Sequence, residues 1–484
     1  MTDLCMQDAV VIAEMLRRRE VSAREVVSAH IARIEAFDPA INAIVTRTFD
    51  AALARAAAAD EAMASGRALG LLHGLPVAHK DLADTDGVRT TYGSPLFAAN
   101  VPKRDALVVH RMAEAGAISL GKTNVPEFGA GSHTVNAVFG ATRNPYHHDR
   151  SAGGSSGGAA AALAARLIAL ADGSDLGGSL RNPASFCNVV GLRPSPGRVP
   201  GWPFADVADM LGVSGPMGRT VADVALLLAV LAGPDPRVPL ALDQPPPAIR
   251  EPAQIRALLG RDLNGVRIAW SPDLGLPVEP EVAAVLAPAR HVLAGLGSAV
   301  IDMAPDLSGA DEVFRTFRAF AFATFRADLL ARDPDLVGPN VTWNIEQGLG
   351  LTTADLSRAT VLRAELAERI TAFFADVDVL ACPVSQVAPF DVTLDWVHEI
   401  NGHPLQTYLD WMASAYLISP TGLPAISVPA GFTAAGLPVG LQLVGSRRGD
   451  WDLLAVARAF ESATGYAARA PESTPSLTAS SPPR

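Results

Sequence analysis

The sequence predicts an α/β protein, and three observations carry that reading. Between His73 and about Leu231, short apolar runs alternate with helix-like stretches and are punctuated by Gly and Pro, the pattern of strands and helices in turn. Strand-like runs return near the other end, so both halves of the chain share one core. A chain of 484 residues with 49% apolar residues, 18% charged residues and 41 glycines suits a tightly packed, turn-rich enzyme with a large interior.

The elements follow in order. The first 65 residues read as helical scaffold, with Ser22 and Glu25 forming a Ser-x-x-Glu capping box ahead of Val26, Val27, Ile31 and Ile34 at helical spacing. Strands are expected at 75–78, 117–120 and 167–171. The alanine-rich stretch 159–171 reads as a buried helix. It contains Arg166 and falls well short of the roughly 20 residues that span a bilayer, so no membrane association is expected. A proline-rich connection from Gly233 through Pro245-Pro246-Pro247 crosses the surface before the chain resumes at 266–270. Residues 280–375 look mainly helical, and 377–381, 425–428 and 439–444 look like strands returning to the sheet. From Ala470 the chain is rich in Ser, Thr and Pro without an apolar period, which predicts a flexible tail over 470–484.

Composition also narrows the function. A net charge of −11 without a basic run argues against a nucleic-acid surface. Cys5, Cys187 and Cys382 are too few and too scattered for a disulfide framework or a metal site, and read as core residues of a protein in a reducing compartment. The first residues carry no positively charged, apolar leader, so a cytoplasmic location is expected.

The chemistry concentrates in two glycine-serine clusters, Gly153-Gly154-Ser155-Ser156-Gly157-Gly158 and Asp175-Leu176-Gly177-Gly178-Ser179, with Lys80 upstream in Pro76-Val77-Ala78-His79-Lys80-Asp81. Only three of the 39 basic residues are lysines: Lys80, Lys103 and Lys122. Arginine keeps its proton inside a protein, whereas a buried lysine releases it and serves as a base. An amide is a weak electrophile. Its cleavage requires an activated nucleophile, donors for the developing oxyanion and a proton for the leaving amine. Consecutive glycines leave N–H groups free to converge on a carbonyl oxygen, and a serine directly after them presents its hydroxyl at the same place. Ser179 is therefore the candidate nucleophile, and the N–H groups of Leu176, Gly177, Gly178 and Ser179 the candidate oxyanion hole. Ser155 is the candidate relay, with a helix N-terminus expected just beyond it. Lys80, after an apolar strand, is positioned for burial, which would draw its pKa down from about 10.4 towards neutrality.

These segments occur in a recognisable order. Gly74-Leu75-Pro76-Val77 precedes Lys80-Asp81, and Gly121-Lys122-Thr123-Asn124 leads to Pro126-Glu127-Phe128. Asn144-Pro145, the serine-glycine cluster, residues 175–184 and Gly191-Leu192-Arg193-Pro194 then follow. In these motifs, and in spacings of 75 residues from Lys80 to Ser155 and 24 from Ser155 to Ser179, the chain resembles the amidase signature family over nearly its whole length. The resemblance implies a single α/β/α domain over residues 1–469 with a large central mixed sheet flanked by helices. It implies a signature core at about 73–231 and a helical substrate-side region at about 280–375. It also implies hydrolysis of a carboxylic amide with no cofactor and no metal, extending to anilides, esters or carbamates, the last a urethanase activity. By the same resemblance Ser179 is the acylated nucleophile, Ser155 the relay after a cis peptide bond and Lys80 the base. Asp175 and Arg181 would hold the nucleophile loop, and Gly129 and Ser155 would meet the substrate. Leu176 stands where many members carry a β-branched residue, but only its N–H is needed there.

Other readings of these residues are weaker. Gly116-Ala117-Ile118-Ser119-Leu120-Gly121-Lys122-Thr123 fits a phosphate-binding loop letter for letter, yet its middle is itself an apolar strand-like run and Pro126 follows too soon for a regular helix. His133, His147 and His148 lack the carboxylates or cysteines of a metal site. No Gly-x-Ser-x-Gly elbow accompanies a downstream His and acid. Phe314, Phe317, Phe325 and Trp343 are expected in the core rather than in a substrate pocket. The rival within the resemblance is the glutaminase component of a glutamyl-tRNA amidotransferase, which works with partner subunits, and the rival outside catalysis is a binding protein that kept the fold. The partners expected are a small-molecule amide and, at most, a second copy in a homodimer, with neither nucleic acid nor membrane. The substrate pockets are expected to form from residues around 129–133 and 310–420.

Overall fold

The computed structural model describes residues 4–203 and 211–472. Three helices open the chain, α1 (Ala9–Arg17), α2 (Ala23–Ile41) and α3 (Phe49–Ala64). The capping box at the start of α2 forms as the sequence predicts: Ser22 Oγ accepts from the Glu25 N–H, and the Glu25 carboxylate accepts from the Ser22 N–H. That pairing satisfies two of the N–H groups a helix leaves unpartnered at its start.

The centre is an 11-stranded mixed sheet. Its strands are β1 (Ile44–Arg47), β2 (Pro76–Lys80), β3 (Ile118–Thr123), β4 (Leu170–Asp175), β5 (Val190–Arg193), β6 (Val213–Gly218), β7 (Arg267–Trp270), β8 (Ala299–Asp302), β9 (Val379–Pro383), β10 (Ala425–Phe432) and β11 (Pro438–Gly445). Across the sheet they lie in the order β1-β3-β2-β4-β6-β5-β10-β11-β9-β7-β8. β2 runs parallel to β3 and β4, whereas β6, β5, β10 and β11 pair antiparallel in succession. The two ends of the chain therefore meet in one sheet, and helices flank it on the α/β pattern read from the sequence.

Between β3 and β5 lie the two elements that carry the glycine-serine clusters. Helix α4 (Gly157–Ala164) is buried along all eight residues, and helix α5 (Arg181–Phe186) is buried along all six. An all-round apolar helix such as α4 has no face for water and belongs in the interior. On the substrate side, α6 (Ala310–Arg332), α7 (Pro339–Leu349) and α8 (Thr353–Asp376) pack on one another.

Several boundaries differ from the sequence reading. The helix expected over 159–171 stops at Ala164, because Leu170 and Ala171 pair with Val77 and Ala78 of β2 and the chain must become strand. Arg166, with φ at 60°, makes the turn between them. β3 runs on to Thr123, so Gly121-Lys122-Thr123 lies inside a strand rather than in a phosphate loop. β1 and β8 were not legible, being short and lacking a clear alternation. The tail expected over 470–484 lies outside the described residues from 473 onward.

Candidate active site

Strand β2 is buried throughout and delivers Lys80, only 1% exposed, as its last residue. Lys80 Nζ lies 2.9 Å from Ser155 Oγ, 2.8 Å from Ser156 Oγ and 2.9 Å from Ser174 Oγ. A neutral amine has two N–H groups and one lone pair. It can donate to two of these hydroxyls while accepting from the third. Burial pushes the Lys80 amine down to about 7, against the opposing pull of Asp175 and Asp172. The N-terminus of α4, two residues beyond Ser155, also disfavours a positive charge there.

Ser155 is 3% exposed and follows a cis peptide bond from Gly154. Ser179 lies half-buried in the turn between β4 and α5, and its carbonyl accepts from the Ser156 N–H at 3.2 Å. Ser155 and Ser179 line one cavity of about 510 Å³, together with Gly129, Leu82 and Leu176. The positive φ of Gly129, 73°, suits glycine, and a Cβ there would stand 3.3 Å from Ser155 Oγ. Gly129 therefore borders the relay hydroxyl, as the sequence reading expects of a substrate-contacting position.

Asp175 organises the turn. Its carboxylate accepts from the Gly178 N–H at 2.9 Å and the Leu180 N–H at 3.1 Å. It also receives both arms of Arg181, Nε at 3.0 Å and Nη2 at 2.9 Å. Arg193, at the end of β5, adds a bond to the same carboxylate at 3.3 Å and one to the Asp175 carbonyl at 2.6 Å. With two guanidinium groups against it, the Asp175 carboxyl is held far below the usual carboxylate range. This geometry corrects the expected oxyanion hole in one position: the Gly178 N–H is engaged by Asp175. No described residue accepts from the N–H groups of Leu176, Gly177 or Ser179, which remain free for a ligand.

Sequence reasoning missed Ser156, Ser174 and Arg193. Ser156 sits inside the first cluster and Ser174 directly before the second, so adjacency was the only signal. Asp172 was also missed. It lies 2.7 Å from His79 Nδ1 and accepts from the Lys80 N–H at 3.3 Å, a pairing across 93 residues that no local pattern announces. Lys122 is buried in β3, donates to the Ala83 carbonyl and to Thr85 Oγ1, and is drawn down to about 8 by burial. His133, read as a polar loop residue, is instead buried, with its ring nitrogens 2.8 Å from Ser151 Oγ and 3.1 Å from the Val392 carbonyl.

The four aromatic residues divide. Phe314 is fully buried and stacks on Tyr416 at 4.5 Å, as expected of core. Phe317 and Phe325 instead line the cavity that holds Ser179. Helix α6 is only one layer thick over that cavity, so the face read as core is its roof. Trp343 lines a neighbouring cavity of about 980 Å³ with Gly131, Ser132, His133 and Tyr408. The larger space contains neither Ser155 nor Ser179, and the smaller one is the reactive site. Both are built from the two segments expected, 129–133 and 310–420, with further residues around them.

A buried lysine on a serine hydroxyl, beside a second serine in a glycine turn with free N–H groups, defines a serine hydrolase that uses an amine as its base. The Amidase family model matches residues 25–454. An acylamidase from Rhodococcus erythropolis is 38% identical over 468 residues, covering 96% of each chain. The amidase-like component of the glutamyl-tRNA(Gln) amidotransferase of Thermosynechococcus vestitus is 37% identical over 491 residues, covering 96% of this chain and 99% of that one. The crystal structure of a bacterial aryl acylamidase of the amidase signature enzymes family superposes with a TM-score of 0.88 at 30% identity, covering 95% of this chain and 97% of that one. The chain belongs to the amidase family, in its amidase signature branch, and is a hydrolase of carbon–nitrogen amide bonds. Among the described residues no helix is long and apolar enough to cross a membrane.

Proposed function

We propose that the chain hydrolyses a carboxylic amide through an acyl-enzyme on Ser179, acting without partner subunits or nucleic acid. The observation that carries this reading is the buried Lys80 amine 2.9 Å from Ser155 Oγ, in a cavity wall shared with Ser179. Neutral Lys80 takes the Ser155 proton as Ser155 takes that of Ser179, and the Ser179 oxygen attacks the amide carbon. The carbonyl π pair moves onto oxygen, held by the N–H groups of Leu176, Gly177 and Ser179. As the tetrahedral centre collapses, Ser155 returns a proton to the leaving nitrogen and the C–N bond breaks. Water then enters along the same relay and releases the acid.

Residues 1–469 form the catalytic unit in this reading, with the signature core at 73–231 and the helical region at 280–375 closing over it. The aromatic roof formed by Phe317, Phe320 and Phe325 supports amides with an apolar or aryl portion, anilides and aryl carbamates included, over a small polar amide such as glutamine. The cytoplasm is the location that suits its three unpaired, buried cysteines. The test is hydrolysis of a panel of aliphatic, aryl and carbamate substrates by wild type and Ser179→Ala. Aryl amide turnover by the chain alone, lost in the variant, supports the reading. Turnover of glutamine alone, and only with added partner subunits, overturns it in favour of the amidotransferase role.

A further inference from the structure

The cavity over Ser179 is electropositive in a chain whose net charge is −11. Three guanidinium groups line it, those of Arg318, Arg326 and Arg363. The one acidic side chain among its described lining residues, Asp175, is already bound by Arg181 and Arg193. Arg318 is 5% exposed and donates to neutral partners only, Asn344 Oδ1 at 3.0 Å and the Tyr408 hydroxyl at 2.7 Å.

Arg326 is the more unusual. Its guanidinium stands between two rings, 5.0 Å from the centroid of Phe128 and 5.0 Å from that of Phe322. Its Nε is sealed from solvent without a hydrogen-bond partner. No described residue accepts from its other nitrogens, and no carboxylate among the described residues lies within ion-pair distance. The nearest acid, Glu127, has its two oxygens occupied by Ser94 Oγ at 2.6 Å and the Gly338 N–H at 2.7 Å. Burial and the neighbouring Arg318 charge draw Arg326 down to about 10, far from the ordinary arginine value. Folded proteins rarely leave a buried guanidinium without an anion, because its desolvation is then uncompensated. Two aromatic faces fix the plane of this one while leaving its N–H edge unspent, a geometry matched to bidentate capture of a carboxylate. Phe128, which forms one face, directly precedes Gly129 at the relay serine.

We propose that Arg326 is a specificity residue that binds a carboxylate on the substrate, so that the preferred amides carry an anionic group at one end. The inference rests on the hydrolase reading above for the identity of the cavity, but its test also has a binding arm that needs no turnover. A carboxylate on the amine side and one on the acyl side share this chemistry, and paired substrates separate them. Para-acetamidobenzoate is compared with para-acetotoluidide, and succinic acid monoanilide with pentananilide. Wild type should prefer the anionic member of one pair by about 10- to 100-fold in kcat/KM, the range expected for a charge-assisted hydrogen bond. Arg326→Gln should bring that ratio close to unity, and Arg326→Lys should restore part of it.

In the Ser179→Ala background, calorimetry should show the same anionic amide binding and its affinity weakening by a similar factor on adding Arg326→Gln. Thermal melting of each variant reports whether the fold is retained. A wild type that cleaves neutral amides as fast as anionic ones overturns the inference and leaves the hydrolase reading standing. An equal loss for both members of a pair in Arg326→Gln overturns it too, since a structural role does that. Absence of any turnover, with anion binding still dependent on Arg326, overturns the hydrolase reading and keeps the carboxylate site.

Discussion

Lys80 is one charge site whose surroundings decide its chemistry. Three hydroxyls meet its nitrogen and almost no water does, so its proton is shed near pH 7 rather than near 10.5. If the neutral amine is the working form, kcat/KM should fall on the acid side with an apparent pKa of about 7. Lys80→Arg, which keeps the charge and cannot release it, should lose activity by about a thousandfold or more. The same shift acts on stability. The unfolded lysine binds a proton that the folded one gives up, so Lys80 contributes most favourably above pH 10.5, and that contribution is lost as pH falls towards 7. Denaturant titrations between these limits should show a slope that Lys80→Met flattens. A kcat/KM that stays level from pH 9 to pH 5 would contradict the assignment of Lys80 as the base. Lys80 was legible because lysine is scarce in this chain and its position follows an apolar run. Arg326 was not, because nothing in Thr324-Phe325-Arg326-Ala327 distinguishes a guanidinium aimed into a cavity from one in water.

At the scale of elements, the turn from β4 into α5 works as one unit built on Asp175. Replacing Asp175 by Asn keeps the shape but leaves Arg181 and Arg193 buried without their anion, which should lower stability by about 3–5 kcal/mol. The activity of the surviving folded fraction should fall as well, since the Gly178 N–H and the course of the glycine turn depend on the same carboxylate. Chemical denaturation and active-site titration separate the two effects. On the facing segment, Gly129→Ala puts a methyl group 3.3 Å from Ser155 Oγ and 3.2 Å from Leu82 Cδ1, at a φ of 73°. It should reduce kcat/KM by about tenfold or more, with a stability change of only about 1 kcal/mol. Activity equal to wild type would show that Gly129 does not border the reacting groups. Both glycine-serine clusters were readable because the chemistry needs contiguous residues there. The end of the 159–171 helix was not, since Leu167-Ile168-Ala169-Leu170-Ala171 suits a buried helix and a buried strand equally, and only the neighbouring β2 decides between them.

At the scale of the whole molecule, the sheet explains why distant segments are needed. β2 brings Lys80, β4 leads into the nucleophile turn, and β5 brings Arg193 to Asp175. β10 and β11, more than 230 residues further on, brace the same turn through Gln442, which accepts from Arg181 at 2.6 Å. Alternation of strands and helices made the class of fold legible, and the ordered motifs made the family so. Strand order and the cavity roof were not legible, because they arise from pairings across hundreds of residues and from which face of α6 the sheet leaves uncovered. What the fold assembles is a single reactive hydroxyl at the floor of that cavity. The most direct measurement is intact-protein and peptide mass spectrometry after brief exposure to a fluorophosphonate or a slowly released acyl substrate. One adduct on Ser179, absent in Ser179→Ala and slowed in Ser155→Ala and Lys80→Arg, is the expected result. An adduct on another residue, or undiminished hydrolysis by Ser179→Ala, would contradict the mechanism at its centre.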